Sequence, residues 1–129
     1  MPVKDFIKGL ESEVPYNVNE VLHGINYRGL VTIGVELLDM GLKNDTDEQT
    51  INNILPDSFI YINDNSVKLG RIQVFNNFSP YMVGNDNHIW LGLNYYCNEG
   101  DYYWSLNDQA WKQLAIGDLK KLGIIKDSS

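Results

Sequence analysis

The sequence predicts an α+β protein in which a mainly antiparallel sheet is backed by helices. Segments rich in β-branched and aliphatic residues are grouped in the middle of the chain, whereas apolar residues at helical spacing occur at its two ends. This separation of strands from helices is typical of the α+β class. The chain has 129 residues, of which 43% are hydrophobic, so we expect it to form a single domain with one core over residues 1–129.

Two short helices are predicted at the start of the chain. Apolar residues recur at helical spacing over residues 3–10 and again over residues 18–22. Asn17 or Asn19 is a suitable cap for the second helix, and Gly24 suits its C-terminal end. Because the second helix has little polar surface, we expect it to pack on the sheet.

Four strands are predicted between the terminal helices, at residues 27–38, 59–63, 67–76 and 88–97. Gly29 and Gly34 lie in the first of them, and glycine inside a strand indicates close approach by another backbone or by a ligand. A polar tip is predicted at residues 85–87, and residues 101–104 are interpreted as a short edge strand.

The second and third strands are expected to form a hairpin around a polar tip at residues 63–66, which places Tyr61 opposite Lys68. Residues alternate between the two faces of a strand, so in a regular ladder Arg71 would lie on the opposite face from Tyr61. A bulge is required to bring both side chains to one face, and Gly70 is the residue able to host it. We expect the Arg71 guanidinium to be exposed and unpaired.

A long helix is predicted over residues 108–122. Its apolar stripe consists of Trp111, Leu114, Ala115, Leu119 and Leu122. Asn107 or Asp108 is a suitable N-cap, and Gly123 a suitable residue just beyond the C-terminal end. We expect helices to cover one face of the sheet and to leave its other face open.

Composition excludes several classes of function. The formal net charge of −7 argues against nucleic-acid binding through phosphate neutralisation, so a site for an anion must be a local exception. Cys97 is the single cysteine, which excludes an internal disulfide and cysteine-based zinc sites and makes a reducing cytoplasm the default location. No apolar run approaches the roughly 18 residues of a membrane span. Glu99 and Asp101 flank Gly100 and are interpreted as turn residues rather than an acid–base pair.

Three sets of residues resemble parts of known flavoproteins. Tyr61, Arg71 and the run Ser79-Pro80-Tyr81 resemble the sugar-nucleotide side of UDP-galactopyranose mutases, especially the eukaryotic type. More closely, three runs are similar to bacterial flavoproteins of the amine-oxidase and mutase superfamily, which are often related to lipopolysaccharide biosynthesis: Val67 to Pro80, Trp90-Leu91-Gly92-Leu93 and Asn98-Glu99-Gly100-Asp101. The resemblance covers about residues 1–125 and implies the substrate domain of such an enzyme, a sheet backed by helices.

The resemblance also implies a set of substrate-binding residues. In the mutases the tyrosine matching Tyr61 hydrogen-bonds the substrate diphosphate, and the arginine matching Arg71 lies beside both flavin and sugar. Tyr27-Arg28 resembles a Tyr-Arg-Ser run of the bacterial mutases, which implies that Arg28 lies near the cofactor or the diphosphate; an arginine at a strand end that reaches water is the equal alternative. Phe78 stands where the mutases have an aromatic hydroxyl, a departure that affects recognition of UDP-galactopyranose.

The FAD-binding part of these enzymes has no counterpart in the sequence. The related flavoproteins hold the FAD pyrophosphate with a Gly-x-Gly-x-x-Gly run, which does not occur here. We therefore expect the chain to be an internal domain of a longer enzyme. It should be inactive alone and bind no FAD by itself, with the missing FAD-binding domain of the parent chain as its partner.

Three functions remain open from the sequence. The first is the substrate-binding domain of a mutase that converts UDP-galactopyranose to UDP-galactofuranose for cell-surface polysaccharides. The second is the same domain of an amine-oxidase-like, FAD-dependent oxidoreductase with another small-molecule substrate. The third is a self-contained, non-enzymatic binding domain.

Overall fold

A single sheet and three helices form the regular structure of the computed structural model, which describes residues 1–84 and 87–126. The helices are α1 (Val3–Lys8), α2 (Tyr16–Gly24) and α3 (Asp108–Lys121). The strands are β1 (Gly29–Leu37), β2 (Phe59–Tyr61), β3 (Arg71–Val74) and β4 (Ile89–Cys97). They lie in the order β1–β4–β3–β2, and each neighbouring pair is antiparallel. The predicted α+β class is therefore confirmed.

The core lies between one face of the sheet and α3. Alternate residues of the strands point to this side, and the apolar stripe of α3 meets them. The central contacts are made by side chains that are at least nine-tenths buried: Ile72, Val74, Leu91, Leu93, Tyr95, Trp111, Ala115 and Leu119. Since α3 is the only long helix in the described part of the chain that covers the sheet, the opposite face of the sheet is left without a helical layer.

Both ends of α3 are fixed by local interactions. The Asn107 side chain accepts a hydrogen bond from the Ala110 amide at 2.9 Å, so Asn107 is the N-cap. Gly123 follows the helix with φ of +70°, a conformation that favours glycine. The Gly41 amide then donates to the Ile124 carbonyl at 2.8 Å, which ties the segment after β1 to the end of α3.

The two N-terminal helices differ from expectation. Leu22 is the single buried residue of α2, and α1 has none, so α2 packs on the remainder of the protein much less than we expected. The predicted caps Asn17 and Asn19 are also wrong, because α2 begins directly after Pro15 without a side-chain cap. Proline suits this place since its fixed φ is already helical.

The predicted hairpin register is wrong. Tyr61 pairs with Arg71 rather than with Lys68, and residues 62–70 form the connection. The physical reason is tertiary: Leu69 is buried, and its amide donates to the carboxylate of Asp118 in α3 at 3.1 Å. Leu69 is thus held against α3 instead of pairing with β2, whereas the Gly70 carbonyl accepts from the Ile62 amide just beyond β2.

Two smaller predictions concern the loops. Residues 101–104 form a turn rather than an edge strand, because the Asp101 carboxylate accepts from the amides of Asn98 and Trp104, each at 2.8 Å. This agrees with the interpretation of Asp101 as a turn residue. The polar tip predicted at residues 85–87 includes residues 85 and 86, which lie outside the described residues.

Candidate functional site: the open face of the sheet

The face of the sheet opposite α3, called here the open face, carries the candidate site. Strand register places every second residue of each strand on it. Its members are Leu30, Thr32, Gly34 and Glu36 of β1, Trp90, Gly92, Asn94 and Tyr96 of β4, Arg71 and Gln73 of β3, and Phe59 and Tyr61 of β2. Apart from Arg71 and Glu36 these residues are uncharged, so Arg71 dominates the electrostatics of the half of the face formed by β2 and β3.

Tyr61 and Arg71 lie directly opposite each other on β2 and β3, so both project from the open face. No bulge is needed for this, since their true register already brings them together. Gly70 nevertheless departs from regular pairing: its amide donates to the Asn94 carbonyl, while its carbonyl accepts from Ile62, both at 3.0 Å. In a regular antiparallel ladder both groups of one residue point to the same neighbouring strand.

The Arg71 guanidinium is half-buried and hydrogen-bonded, so the expectation that it is exposed and unpaired is wrong. The side-chain oxygen of Asn94 accepts from Nε and from Nη2 of Arg71, each at 2.9 Å, in the amide orientation that satisfies both residues. The Cζ atom of Arg71 lies 5.0 Å from the ring centroid of Phe59 and 5.9 Å from that of Tyr61. These distances are within the range of cation–π attraction.

The charge of Arg71 is not matched by a carboxylate. Within residues 1–84 and 87–126, no Asp or Glu oxygen lies within 4.0 Å of its guanidinium; the ion pairs found there join Lys43 to Asp39 and His88 to Glu36. In a chain of net charge −7, this cation is the local exception that an anion site requires.

Phe78 reaches the same cluster through Phe59. The two rings meet edge to face, with centroids 5.0 Å apart and planes at 85°, and each side chain is 40% exposed. Phe59 therefore joins Phe78 to Arg71, and the guanidinium of Arg71 also lies beside Tyr61. The exposed rings offer an apolar surface beside the guanidinium, which is an arrangement that suits a ligand with an anionic group next to an apolar or ring-shaped part.

Arg28 is not part of this cluster. It precedes β1, two strands away from β3 and four residues along the strand from Thr32, which pairs with Asn94. Strand spacing and rise put its Cα about 16 Å from that of Arg71. Three of the four predicted substrate-binding residues are thus close together, and Arg28 is separate from them.

Two residues of the cluster were missed in the sequence, Phe59 and Asn94. Phe59 gave no signal apart from its place at the start of a strand. Asn94 did offer one: it is the sole amide in the otherwise apolar and aromatic run Ile89–Cys97, at a spacing of two from Gly92 and Tyr96. A buried polar side chain needs a hydrogen-bond partner on its own face of the sheet. The predicted pairing of β2 with β3 was wrong, so it did not identify Arg71 as that partner.

A larger cavity lies elsewhere. A groove of about 1070 Å³ runs between β1 and α3, on the side of the sheet away from Arg71. Its walls are mainly aliphatic, with Val31, Ile33 and Val35 on one side and Ala115 and Leu119 on the other. We favour the open face as the site for chemistry, because the Arg71 guanidinium lies over the rings of Phe59 and Tyr61 and has no carboxylate partner in the described residues. The cation of the groove lining, Lys112, is accompanied there by the carboxylates of Glu36, Asp39 and Asp108.

Two features were looked for in the described residues and not found. These residues contain no group of three or more His, Cys, Asp or Glu side chains arranged to hold a metal ion. Within the same ranges, none of the helices combines the length and apolar character needed to cross a bilayer. Comparison of the chain with models of protein families, with curated proteins and with solved structures found no match.

Proposed function

We propose that the chain is the substrate-binding domain of a UDP-galactopyranose mutase-like flavoenzyme and that its open face receives the nucleotide sugar. One observation carries the proposal: Tyr61 and Arg71 lie directly opposite each other on the face that α3 leaves uncovered, and the charge of Arg71 has no carboxylate partner in the described residues. A guanidinium presents a planar fork to phosphate oxygens, and a phenol donates a hydrogen bond without adding charge.

The free donors of Arg71 suit a diphosphate. A guanidinium has five N–H groups, of which Asn94 uses one on Nε and one on Nη2. The edge formed by Nη1 and Nη2 can therefore meet two oxygens of one phosphate. Tyr61 is 70% exposed, so its hydroxyl can reach a ligand without rearrangement of the core. The rings of Phe59 and Phe78 would then pack against the uncharged part of the ligand.

FAD does not fit this chain by itself. Among the described residues, no strand leads through a glycine-rich turn into the N-terminus of a helix, which is the arrangement that holds a dinucleotide pyrophosphate. In the proposed parent protein another domain would hold FAD, with Arg71 beside it, and the complete enzyme would act in the cytoplasm on cell-surface polysaccharide precursors. The chain alone would bind substrate without catalysis, and we expect the purified protein to be colourless.

A second candidate is the same domain of an amine-oxidase-like, FAD-dependent oxidoreductase with another substrate. The observation that favours it is Phe78, which lies in the cluster but has no hydroxyl to offer a sugar. A more apolar ligand with one anionic group would then suit the rings of Phe59 and Phe78 better than a nucleotide sugar.

Calorimetric titration with UDP, and separately with the uncharged nucleoside uridine, tests the first proposal. We expect the wild type to bind UDP more tightly than uridine and the Arg71→Ala variant to lose this preference, with roughly tenfold weaker UDP binding, because a charge-assisted hydrogen bond is removed. Arg28→Ala is the matched control, since it removes the same charge about 16 Å away. Equal loss in both variants, or no UDP binding by the wild type, would reject the proposal.

A further inference from the structure

Asn94 is a buried polar residue of β4 that connects Arg71 of β3 to Thr32 of the edge strand β1. Only 1% of its surface is exposed. Its side-chain oxygen accepts from Arg71, and its side-chain nitrogen donates to the Thr32 hydroxyl at 2.9 Å. Its backbone is held as well, because its carbonyl accepts from the Gly70 amide at 3.0 Å. All polar atoms of the Asn94 side chain are therefore engaged in fixing one orientation of the amide.

We propose that Asn94 is the positioning residue of the site: it holds the Arg71 guanidinium in one orientation while leaving its positive charge available to an anionic ligand. This inference rests on the proposed function, in that it assumes a phosphate-containing ligand on the open face. Asn94 itself is not expected to touch the ligand, because only 1% of its surface is exposed and its side chain is bonded on both sides, to Arg71 and to Thr32.

The chemical type of the residue carries the inference. A carboxylate at this place would accept the same two hydrogen bonds, but it would neutralise Arg71 and form an internal ion pair. An apolar residue would leave Nε and Nη2 without partners in a half-buried place. A neutral amide avoids both outcomes, since it satisfies the donors and adds no charge. The amide oxygen is directed to Arg71 because a guanidinium can only donate, whereas the Thr32 hydroxyl can accept from the amide nitrogen at the other end.

The aromatic rings of β2 also restrict the orientation of the Arg71 guanidinium. The rings of Phe59 and Tyr61 lie within 6 Å of Cζ and restrict the guanidinium from the β2 side. Asn94 restricts it from the β4 side. With Nε and one Nη2 proton engaged, the edge formed by Nη1 and Nη2 is the part left for two ligand oxygens. A cation fixed in this way loses little side-chain entropy when the ligand binds.

The first test needs no ligand. The Nε–H signal of Arg71 in nitrogen-15 NMR spectra reports how fast this proton exchanges with water. We expect slow exchange in the wild type, fast exchange in Asn94→Ala, and slow exchange again in Asn94→Asp, which restores an acceptor. Thr32→Val is a second variant at an exposed position: it releases the amide and should increase the exchange rate even if Asn94→Ala does not fold.

The second test uses inorganic pyrophosphate and UDP as probes near neutral pH. We expect Asn94→Asp to keep slow Nε–H exchange but to bind both probes at least tenfold more weakly than the wild type, because its carboxylate cancels the charge of Arg71. If Asn94 only stabilised the fold, its replacement would change proton exchange and ligand binding together. Unchanged pyrophosphate binding by a folded Asn94→Asp variant would overturn the role of the neutral amide.

The two tests separate the positioning role from the proposed function. If Nε–H exchange is the same in the wild type, Thr32→Val and a folded Asn94→Ala variant, Asn94 does not position Arg71, and the inference is overturned whatever the ligands do. If exchange depends on Asn94 but the wild type binds neither probe, the positioning of Arg71 is supported, whereas the proposed function and the charge role of Asn94 are both overturned.

Discussion

Single residues show why the open face can hold an uncompensated cation in an acidic chain. Arg71 is half-buried and hydrogen-bonded to a neutral amide, and two aromatic rings lie beside it. The aromatic rings and the amide lower the cost of partial burial without removing the charge.

Two glycines of β1 have different immediate neighbours. A Cβ atom at Gly29 would lie 2.9 Å from the Cys97 carbonyl oxygen and 2.9 Å from the Trp104 ring, whereas at Gly34 it would meet nothing within 4 Å.

Gly29→Ala and Gly34→Ala are therefore expected to differ, although both lie in β1. Gly29→Ala should lower the free energy of unfolding by about 1–3 kcal/mol, because the added methyl group overlaps the backbone of β4. Gly34→Ala should be neutral or stabilising by up to about 1 kcal/mol, since alanine loses less entropy than glycine on folding. Urea denaturation of the two variants beside the wild type measures both. Equal effects would show that the strand β1 does not approach Cys97 and Trp104 as described.

Asp101 gives a pH dependence with a defined sign. Its hydrogen bonds from the amides of Asn98 and Trp104 hold the pKa of the carboxyl below its ordinary value of 3.8. A lowered pKa in the folded state means that its stabilisation is present above pH 3.8 and is lost as the pH falls through this value toward the folded pKa. The stability difference between the wild type and Asp101→Asn should thus be constant near neutral pH and shrink below pH 3.8.

Thermal unfolding followed over a pH series measures this difference. Glu99→Gln is the control, because Glu99 belongs to the same turn but accepts neither of the two capping hydrogen bonds. A difference that is independent of pH down to the acid limit of folding would show that the Asp101 carboxylate does not organise the turn in its ionised form.

Helices and strands whose ends are set by interactions within the element were predicted correctly from the sequence, whereas those set by residues far apart in the chain were not. The prediction of residues 27–38, 88–97 and 108–122 is close to β1, β4 and α3, because long periodic runs and the cap at Asn107 act within each element. The start of β3 could not be found in this way. Residues 67–70 have strand-like side chains, but the bond from Leu69 to Asp118 joins residues far apart in sequence and holds them to α3.

The cap of α3 is the element whose contribution is simplest to measure. Asn107→Ala should lower the free energy of unfolding by about 1 kcal/mol, since the amide of Ala110 loses its partner. Asn17→Ala is the matched control, because Asn17 was predicted as a cap but lies inside α2, where alanine favours the helix. Circular dichroism during chemical denaturation compares the two. A larger loss in Asn17→Ala than in Asn107→Ala would contradict the described ends of both helices.

The candidate site could be predicted in part for a similar reason. Tyr61 and Arg71 were singled out by their residue types and by resemblance, which do not depend on register. Their arrangement with Phe59 and Asn94 is set by the pairing of β2, β3 and β4. Because the predicted pairing of β2 with β3 was wrong, this arrangement could not be predicted. One shifted register changes every neighbour across a strand, so a site built across three strands cannot be derived from the pattern of any one of them.

On the scale of the whole molecule, the sheet separates two surfaces of different chemistry. The open face has one cation, exposed aromatic rings and amide side chains, whereas the groove between β1 and α3 is larger and mainly aliphatic. Volume alone would favour the groove as a binding site. The charge and hydrogen-bond donors that a phosphate needs favour the open face. The proposed site for an anionic ligand is therefore the side of the sheet away from α3.

Mapping the backbone amide signals during titration with UDP shows which side of the sheet the ligand occupies. Binding on the open face should shift the amides of Arg71, Gln73 and Gly92, and these shifts should be lost in Arg71→Ala. The amides of Ala115 and Ile116, which line the groove, should remain unchanged. Shifts confined to the groove, or shifts at Arg71, Gln73 and Gly92 that persist in Arg71→Ala, would contradict binding at the proposed site.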